Sequence, residues 1–383
     1  MTSNTRPRIR DLGYSPGRFQ PGPQNSILDV PGVTVGQVTI HREPSIHTGL
    51  TVIFPRGVQK TRTIPCYAAT HDLNGMGELT PIALTNTVSI GKVYDGLFLH
   101  NLQQAAESGE DDISVSRRMG IPVVGETYDG LLNDISASVI DKETVYEAIK
   151  ASETQNEVFE GNFGGGTAMR CHGYKGGTGT ASRVVPGDKR DFTLGVIVQA
   201  NHGQKEDLRI GNVPVGELLK REDLEKCGEV QKDDAKIKLP AAGRAAEGSI
   251  LVVIITDAPL LPHQLRRIAQ HAGMGITQVG GHSAGRNFSG EIFLALSTGT
   301  SPNELASASS GFEYLPPLET QKVETLKNET IDSLFYATSE ATEEAILNAL
   351  CKAETLRGFK GRSTEALPVE RVRGLLERYM IEV

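Results

Sequence analysis

The chain lacks several features that would assign it to a common class of protein. It has no tryptophan, and its net charge of −8 with a pI near 5.7 excludes the broad basic surface that nucleic-acid-binding proteins need. No apolar run reaches the roughly 18 residues of a membrane-spanning helix. The N-terminal segment Met1–Arg10 is basic and polar without an apolar stretch, so we expect no secretory signal and a cytoplasmic protein.

Metal-binding motifs are also missing. No C-x-x-C or H-E-x-x-H motif occurs, and none of the nine histidines pairs with another at i, i+4. Cys171 and His172 are adjacent, but neighbouring residues of an extended chain point in different directions, so we interpret them as ordinary residues. The sequence therefore predicts no metal site and free thiols in a reducing compartment. The four cysteines are Cys66, Cys171, Cys227 and Cys351.

The most informative segment begins at Ser249. Six aliphatic residues, Ile250–Ile255, follow it, and such a run predicts a strand buried on both faces. The segment before it, 221–248, is polar and predicts a linker. Cleavage between Gly248 and Ser249 would leave a hydroxyl nucleophile and an α-amine, with a reference pKa of about 7.7–8.0, on one residue. By itself the Gly-Ser pair more often marks an ordinary strand start.

Strand and helix patterns alternate along the rest of the chain. Strands are predicted at 33–40, 49–54, 192–200 and 291–297, and helices at 94–109, 142–152, 262–272, 339–356 and 369–379. The order has no strict βαβ rhythm. It therefore favours a single domain of packed helical and sheet layers over a doubly wound sheet.

A second serine, Ser283, lies in a G-x-S-x-G motif at 281–285. The nucleophile elbow with this motif needs a helix directly after the serine and a histidine further along the chain. The residues after Ser283 predict a turn and a strand, and no histidine follows His282. We therefore interpret the motif as a glycine-rich turn between strands.

Glycines cluster at 164–166 and 173–179. Neither G-x-x-x-x-G-K-[ST] nor a helix-opening G-x-G-x-x-G is present, so a phosphate site is disfavoured. Glycine would allow the backbone to approach a substrate or another segment closely. A set of tight turns fits the same glycines equally well.

Several segments together resemble the DmpA-type aminopeptidases, which include the β-peptidyl aminopeptidases. The resemblance extends over nearly the whole chain, and many motifs in one order are more specific than any single motif. The segments are Arg10–Gly13, Asn25–Gly36, Gly125–Gly130, Gly161–Met169, Val198–Gly203, Gly248–Ile250 and Ser289–Glu291.

The resemblance implies an α+β fold, an αββα four-layer sandwich like that of the N-terminal nucleophile (Ntn) hydrolases but with different strand connectivity. It also implies self-cleavage into an α-chain of residues 1–248 and a β-chain of residues 249–383. The processed units are expected to form a homotetramer without metal or organic cofactor. Nucleic acid and membrane are not expected partners.

The resemblance also implies roles for individual residues. Ser249 is the expected nucleophile, and the substrates are short peptides, amides or esters with a free amine, including D- or β-aminoacyl groups. A carboxylate recognises such an amine by a charge-assisted hydrogen bond. By position, Ser289 and Glu291 orient the nucleophile and move protons, Tyr128 and Asn201 donate to the oxyanion, Glu126 binds the amine, and glycines 164–166 line the pocket.

Two other functions fit part of this pattern. An acyltransferase of the ornithine acetyltransferase type would have a similar fold and also self-cleave, but those enzymes usually expose threonine, and Ser249 disfavours this alternative. A non-catalytic binding protein could keep the fold without the chemistry. None of the key positions is substituted, which disfavours that alternative as well.

Overall fold

The computed structural model describes residues 5–61, 64, 66–69, 78–79, 81–108, 121–226, 248–280, 290–300, 320 and 322–380. Its strands are β1 Thr34–Arg42, β2 Ile46–Phe54, β3 Cys66–Ala69, β4 Glu78–Leu79, β5 Ile82–Asn86, β6 Val123–Thr127, β7 Arg170–Cys171, β8 Tyr174–Lys175, β9 Gly177–Val185, β10 Phe192–Asn201, β11 Ser249–Thr256, β12 Glu291–Ser297, β13 Leu356–Arg357 and β14 Ser363–Thr364. Its helices are α1 Gly57–Thr61, α2 Ile90–Glu107, α3 Lys142–Thr154, α4 Val215–Lys226, α5 Pro262–Val279, α6 Asp332–Lys352 and α7 Val369–Tyr379.

Two main sheets form the centre of the fold. The first has the order β1-β2-β5-β6, and the second has the order β4-β3-β12-β11-β10-β9. Within the first sheet only β5 and β6 run parallel, and within the second only β11 and β12 do. β11 therefore has an antiparallel neighbour, β10, on one side and a parallel neighbour, β12, on the other.

The two sheets pack face to face between two helical layers. Ile53 and Leu84 of the first sheet share a buried cluster with Ile197 and Val253 of the second. A second cluster joins the outer face of the first sheet to α2 and α3, and a third joins the second sheet to α5 and α6. Each sheet thus buries both faces, which confirms the predicted αββα sandwich.

Strand β11 lies at the centre of this arrangement. Alternate residues Ile250, Val252 and Ile254 belong to the cluster facing the helices, whereas Leu251, Val253 and Ile255 belong to the cluster between the sheets. The continuous aliphatic run is therefore explained by burial on both faces, as the sequence predicts.

The five predicted helices form, but several ends differ from the prediction. α2 begins at Ile90 rather than 94, α5 extends to Val279 rather than 272, and α6 ends at Lys352 rather than 356. α6 begins at Asp332 rather than at 339, because Leu334 and Phe335 are already buried and the Thr338 hydroxyl donates to the Leu334 carbonyl one turn earlier. α4 extends to Lys226, so residues 221–226 are helical rather than linker. Their polar side chains contact α7, where Arg371 bonds to Glu222. Residues 227–247 lie outside the described residues.

Charged side chains are buried where the N-terminal segment crosses α6. Glu344 accepts hydrogen bonds from Arg10 at 2.5 and 2.8 Å, and fully buried Arg183 lies 2.8 Å from the same carboxylate. The Tyr14 hydroxyl donates to Glu343 at 2.6 Å. Burial is the main cause that raises the pKa of Glu343 to about 7. This network holds residues 10–14 against the helical layer.

No described helix is both long enough and apolar enough to cross a membrane.

Candidate active site

Ser249 is the first residue of β11 and is half-buried. Side chains alternate along a strand, so Ser249 lies on the same face as Leu251, toward the space between the sheets. Asn201, the last residue of β10, is directly opposite Ser249 in the antiparallel ladder. Directly opposite residues share a face, so the Ser249 and Asn201 side chains are neighbours at one end of the inter-sheet space.

Asn201 joins three segments through its side-chain amide. Its Oδ1 accepts from the Arg170 backbone nitrogen at 2.8 Å, and its Nδ2 donates to the Tyr128 carbonyl at 3.1 Å. The side chain is buried. An asparagine Nδ2 carries two hydrogens, so one remains for an acceptor on the Ser249 side.

Gly248 enters β11 against the backbone of the neighbouring strand. A Cβ at this position would collide with the Asn201 carbonyl oxygen and would lie 2.6 Å from the His202 Cα. Because both obstacles are backbone, a side chain at residue 248 would displace the start of β11. The bond predicted to be cleaved is therefore held tightly beside Asn201 and His202.

A buried hydrogen-bond chain joins the two sheets one strand position further in. Gln199, which is opposite Leu251, donates to the Thr127 hydroxyl at 2.6 Å and to the Thr85 carbonyl at 2.9 Å. All three residues are buried. These bonds fix the position of the end of β6 relative to the start of β11.

Glu126 and Tyr128 lie on either side of Thr127. Thr127 faces the space between the sheets, so alternation places Glu126 on the other face of the first sheet, where the Thr87 hydroxyl donates to it. Glu126 is half-buried. Tyr128 is 57% exposed, and its ring lies so close to Gly130 that a side chain there would collide with the phenol hydroxyl.

The predicted proton-moving pair is only partly described. Glu291 starts β12 and is paired with Ile250 in the parallel ladder, which places it one position beyond Ser249 and on the face of Ile250. It therefore lies at the same end of the sheet as Ser249 but not on the same face. Ser289 and the whole motif around Ser283 lie outside the described residues.

Asp129 is a residue that position-by-position resemblance did not single out. It is buried and accepts from the Thr48 hydroxyl at 2.8 Å and from the Asn86 and Asn133 amides at 3.0 Å each. Burial raises the pKa of this carboxyl. The sequence signal was only its place beside Tyr128. Two of its partners, Thr48 and Asn86, come from distant segments, and Asn133 lies four residues further along the chain. It anchors the loop that carries Tyr128.

The glycines at 164–166 pack between the sheets. A Cβ on Gly165 would collide with the Gln199 side chain and the Leu84 carbonyl, and one on Gly164 would collide with the Thr51 hydroxyl. Of the two interpretations left open for these glycines, close approach therefore holds at Gly164 and Gly165, whose neighbours are strands of both sheets. That they line the substrate pocket stays a prediction.

The prediction that Cys171 and His172 point apart is wrong. His172 and Gly173 have φ values of 46° and 70°, as in the two-residue turns that link β-hairpins, and the chain reverses between β7 and β8. This turn brings both side chains to His202, and the ligand atoms of the three residues lie within 4.8 Å of one another. Burial lowers the pKa of His172 to about 4 and of His202 to about 3, so both rings are neutral at pH 7.

A two-sheet sandwich in which a serine is the first residue of the central strand defines the class of the protein: it is a serine hydrolase of the Ntn type. The family model described as "Peptidase family S58" matches residues 25–364. The chain belongs to peptidase family S58, the family that includes DmpA, and it is a serine aminopeptidase.

Proteins and solved structures of the same family are similar over the full length. The beta-peptidyl aminopeptidase BapA of Sphingosinicella microcystinivorans is 39% identical, over 97% of this chain and 92% of that protein. The structure of a Burkholderia sp. beta-aminopeptidase is 39% identical with a TM-score of 0.81, over 98% of this chain and 100% of that one. The L-aminopeptidase D-Ala-esterase/amidase of Ochrobactrum anthropi, described as a variant of the Ntn hydrolase fold, is 36% identical with a TM-score of 0.79, over 98% and 99%.

Proposed function

We propose that this serine aminopeptidase activates itself by cleaving the Gly248–Ser249 bond and then uses Ser249 as its N-terminal nucleophile. The observation that carries the proposal is the position of Ser249, which is the first residue of the buried strand β11 and is opposite Asn201. Cleavage would give α- and β-chains of residues 1–248 and 249–383.

Self-cleavage uses the same Ser249 hydroxyl that later attacks the substrate. Attack of the Ser249 oxygen on the Gly248 carbonyl carbon transfers the acyl group from nitrogen to oxygen, and one water molecule then hydrolyses the ester. The products are the Gly248 carboxylate and the Ser249 α-amine. The tight packing of Gly248 against Asn201 holds the scissile carbonyl in place, which favours reaction within the chain over reaction with solvent.

The peptidase reaction repeats these steps on a substrate. The Ser249 hydroxyl attacks the acyl carbon while its proton moves to the freed α-amine, which is the only base the nucleophile itself carries. The negative oxygen of the intermediate accepts hydrogen bonds from the second Asn201 amide hydrogen and from the Tyr128 hydroxyl. The carbon–nitrogen bond then breaks, the proton passes to the leaving amine, and water hydrolyses the acyl-enzyme.

Glu126 is the proposed partner of the substrate ammonium. It is half-buried at the end of β6 and is oriented by Thr87. We infer that the substrates are short peptides, amides or esters with an unblocked amine. Two of the relatives described above are named beta-peptidyl aminopeptidase and beta-aminopeptidase, and one is named L-aminopeptidase D-Ala-esterase/amidase. We therefore choose β-, L- and D-aminoacyl amides as the first substrates to compare.

The protein is expected to act as a homotetramer of processed α/β units in the cytoplasm. Both expectations rest on the family resemblance and the composition. Size-exclusion chromatography with light scattering on the purified enzyme measures the first, and fractionation of the producing cells measures the second.

Intact-mass analysis and N-terminal sequencing test the proposal directly. The wild type is expected as two polypeptides, one of which begins Ser-Ile-Leu-Val, and Ser249→Ala is expected as a single chain of 41.2 kDa without activity. An active wild type that remains one uncut chain would contradict self-processing. Ser249→Cys, which keeps a nucleophile, is the control for folding. Adding an amine acceptor to the assay separates hydrolysis from acyl transfer.

A further inference from the structure

A buried group of metal-binding side chains lies next to the proposed site. Cys171, His172 and His202 are buried, and their ligand atoms lie within 4.8 Å of one another. The Cys171 sulfur is 3.8 Å from the His202 Nδ1, and the two imidazole rings are 5.3 Å apart between centroids. Thiolate and imidazole are the protein ligands that zinc prefers.

The hydrogen bonds of these residues leave ligand atoms available. The His172 Nδ1 lies 3.1 Å from the Gln204 carbonyl, to which it donates, so its Nε2 carries the lone pair. Within the described residues, that Nε2 and the Nε2 of His202 have no hydrogen-bond partner although both are buried. Metal-bound histidines usually donate their other ring nitrogen to a carbonyl in this way.

The distances suit a small tetrahedral site. Zinc–sulfur and zinc–nitrogen bonds of about 2.3 and 2.0 Å place neighbouring tetrahedral ligands about 3.5 Å apart. The separation of 3.8 Å between the Cys171 sulfur and the His202 Nδ1 is close to this value, so Nδ1 is the expected ligand atom of His202. The ligand atoms of all three residues lie within 4.8 Å of one another. The backbone bond from His172 N to the His202 carbonyl, at 2.7 Å, holds the two histidines together.

The site lies close to the surface along the chain and is connected to Asn201. The segment after His202 leads from half-buried Gly203 to exposed Lys205. On the other side, Cys171 and His202 directly follow Arg170 and Asn201, the two residues joined by the 2.8 Å hydrogen bond.

We propose that Cys171, His172 and His202 form a binding site for one zinc-class divalent transition metal. The site is separate from Ser249, and a solvent molecule completes a tetrahedral coordination. Because the ligands come from the β7–β8 turn and the end of β10, the bound metal joins these two segments and stabilises the folded chain.

Cobalt(II) is the probe, because its complexes with thiolate absorb in the near-ultraviolet and tetrahedral cobalt absorbs strongly in the visible. Chelator-treated enzyme is titrated with Co²⁺. The expected result is a 1:1 complex with a thiolate-to-cobalt band that is lost in Cys171→Ser. Cys351→Ser is the matched control, since Cys351 is also a fully buried free cysteine, and it should keep the band.

Thermal unfolding gives a second measurement that does not depend on activity. Zn²⁺ at about 100 times its dissociation constant is expected to raise the melting temperature by a few degrees in the wild type and in Cys351→Ser but not in His172→Gln. Absence of the thiolate band in the wild type, or an equal Zn²⁺ effect in His172→Gln, would overturn the proposal. Loss of activity in Ser249→Ala with metal binding intact separates this site from the proposed function.

Discussion

Asn201 lies directly opposite Ser249, and its amide holds the backbone of Arg170 on one side and of Tyr128 on the other. The residue that faces the proposed nucleophile is therefore fixed by bonds to two other segments, the start of β7 and the loop after β6, before any substrate arrives. Donors fixed in this way stabilise a developing oxyanion without reorganisation during the reaction.

Replacing Asn201 should mainly lower kcat. We expect Asn201→Ala to lose about 10²- to 10³-fold in kcat, because one oxyanion donor is removed. Asn201→Asp keeps an oxygen for Arg170 but loses the donor, so its kcat should be similarly low. Steady-state kinetics on an aminoacyl anilide measure both. A change confined to KM in both variants would exclude the oxyanion role.

Glu126 should control the recognition of the free amine. We expect Glu126→Gln to lower kcat/KM for unblocked substrates by roughly 10- to 100-fold, since hydrogen bonds to charged groups contribute about 1.5–3 kcal/mol. Thr87→Val, which removes the hydroxyl that donates to Glu126, should have a smaller effect of the same kind. The low activity on N-acetylated substrates should be the same in all three proteins, and an equal loss on both substrate types would count against this role.

Gly248 and Gly290 offer a matched pair of substitutions. Each directly precedes the first residue of a strand, β11 or β12. Alanine at 248 collides with the backbone of Asn201, whereas a Cβ at 290 meets no described atom within 4 Å.

We therefore expect Gly248→Ala to slow self-cleavage and to lower the free energy of unfolding by about 1–3 kcal/mol. Gly290→Ala should change the unfolding free energy by no more than about 0.5 kcal/mol. A gel time course and urea unfolding measure the two effects. Equal behaviour of the two variants would show that the close approach at residue 248 has no consequence.

The buried carboxyl of Glu343 should make stability depend on pH. Its pKa is raised from an ordinary value of 4.5 to about 7 by burial and by Glu344 and Glu340, against the opposing effects of Tyr14 and Arg183. The folded chain therefore keeps a proton that the unfolded chain releases. The free energy of unfolding that this bound proton contributes is fully present below pH 4.5 and is lost as the pH rises through about 7.

We expect Glu343→Gln to remove this part of the pH dependence, on the order of 3 kcal/mol between pH 4.5 and 8. The glutamine oxygen can still accept from Tyr14. Urea unfolding across this pH range should be measured in the Ser249→Ala background, where each protein is one chain. Exposed Glu329→Gln is the control and should leave the pH profile unchanged. An unchanged profile in Glu343→Gln would contradict the raised pKa.

Much of the fold could be predicted because its signals are local. The run after Ser249 predicts a strand buried on both faces, and β12 and α7 have the predicted bounds. Failures occurred where tertiary contacts outweigh local signals. The Thr338-Ser339 pair resembles a helix start, but burial of Leu334 and Phe335 extends α6 to Asp332. The polar segment at 221–226 is helical because α7 provides Arg371 as a partner.

The candidate site shows the same division between local sequence signals and tertiary contacts. Gly248-Ser249 and its following strand are contiguous, so the sequence alone determined the nucleophile candidate and the buried strand that it begins, whereas the face on which its side chain lies came from the packing of Leu251 between the sheets. The bonds from Thr48 and Asn86 to Asp129, the amide bridge of Asn201 and the meeting of Cys171 and His172 with His202 join segments far apart in the chain. Only the tertiary structure decided these, because strand pairing and a turn with positive φ at His172 set which distant side chains meet, and local patterns carry no record of that pairing.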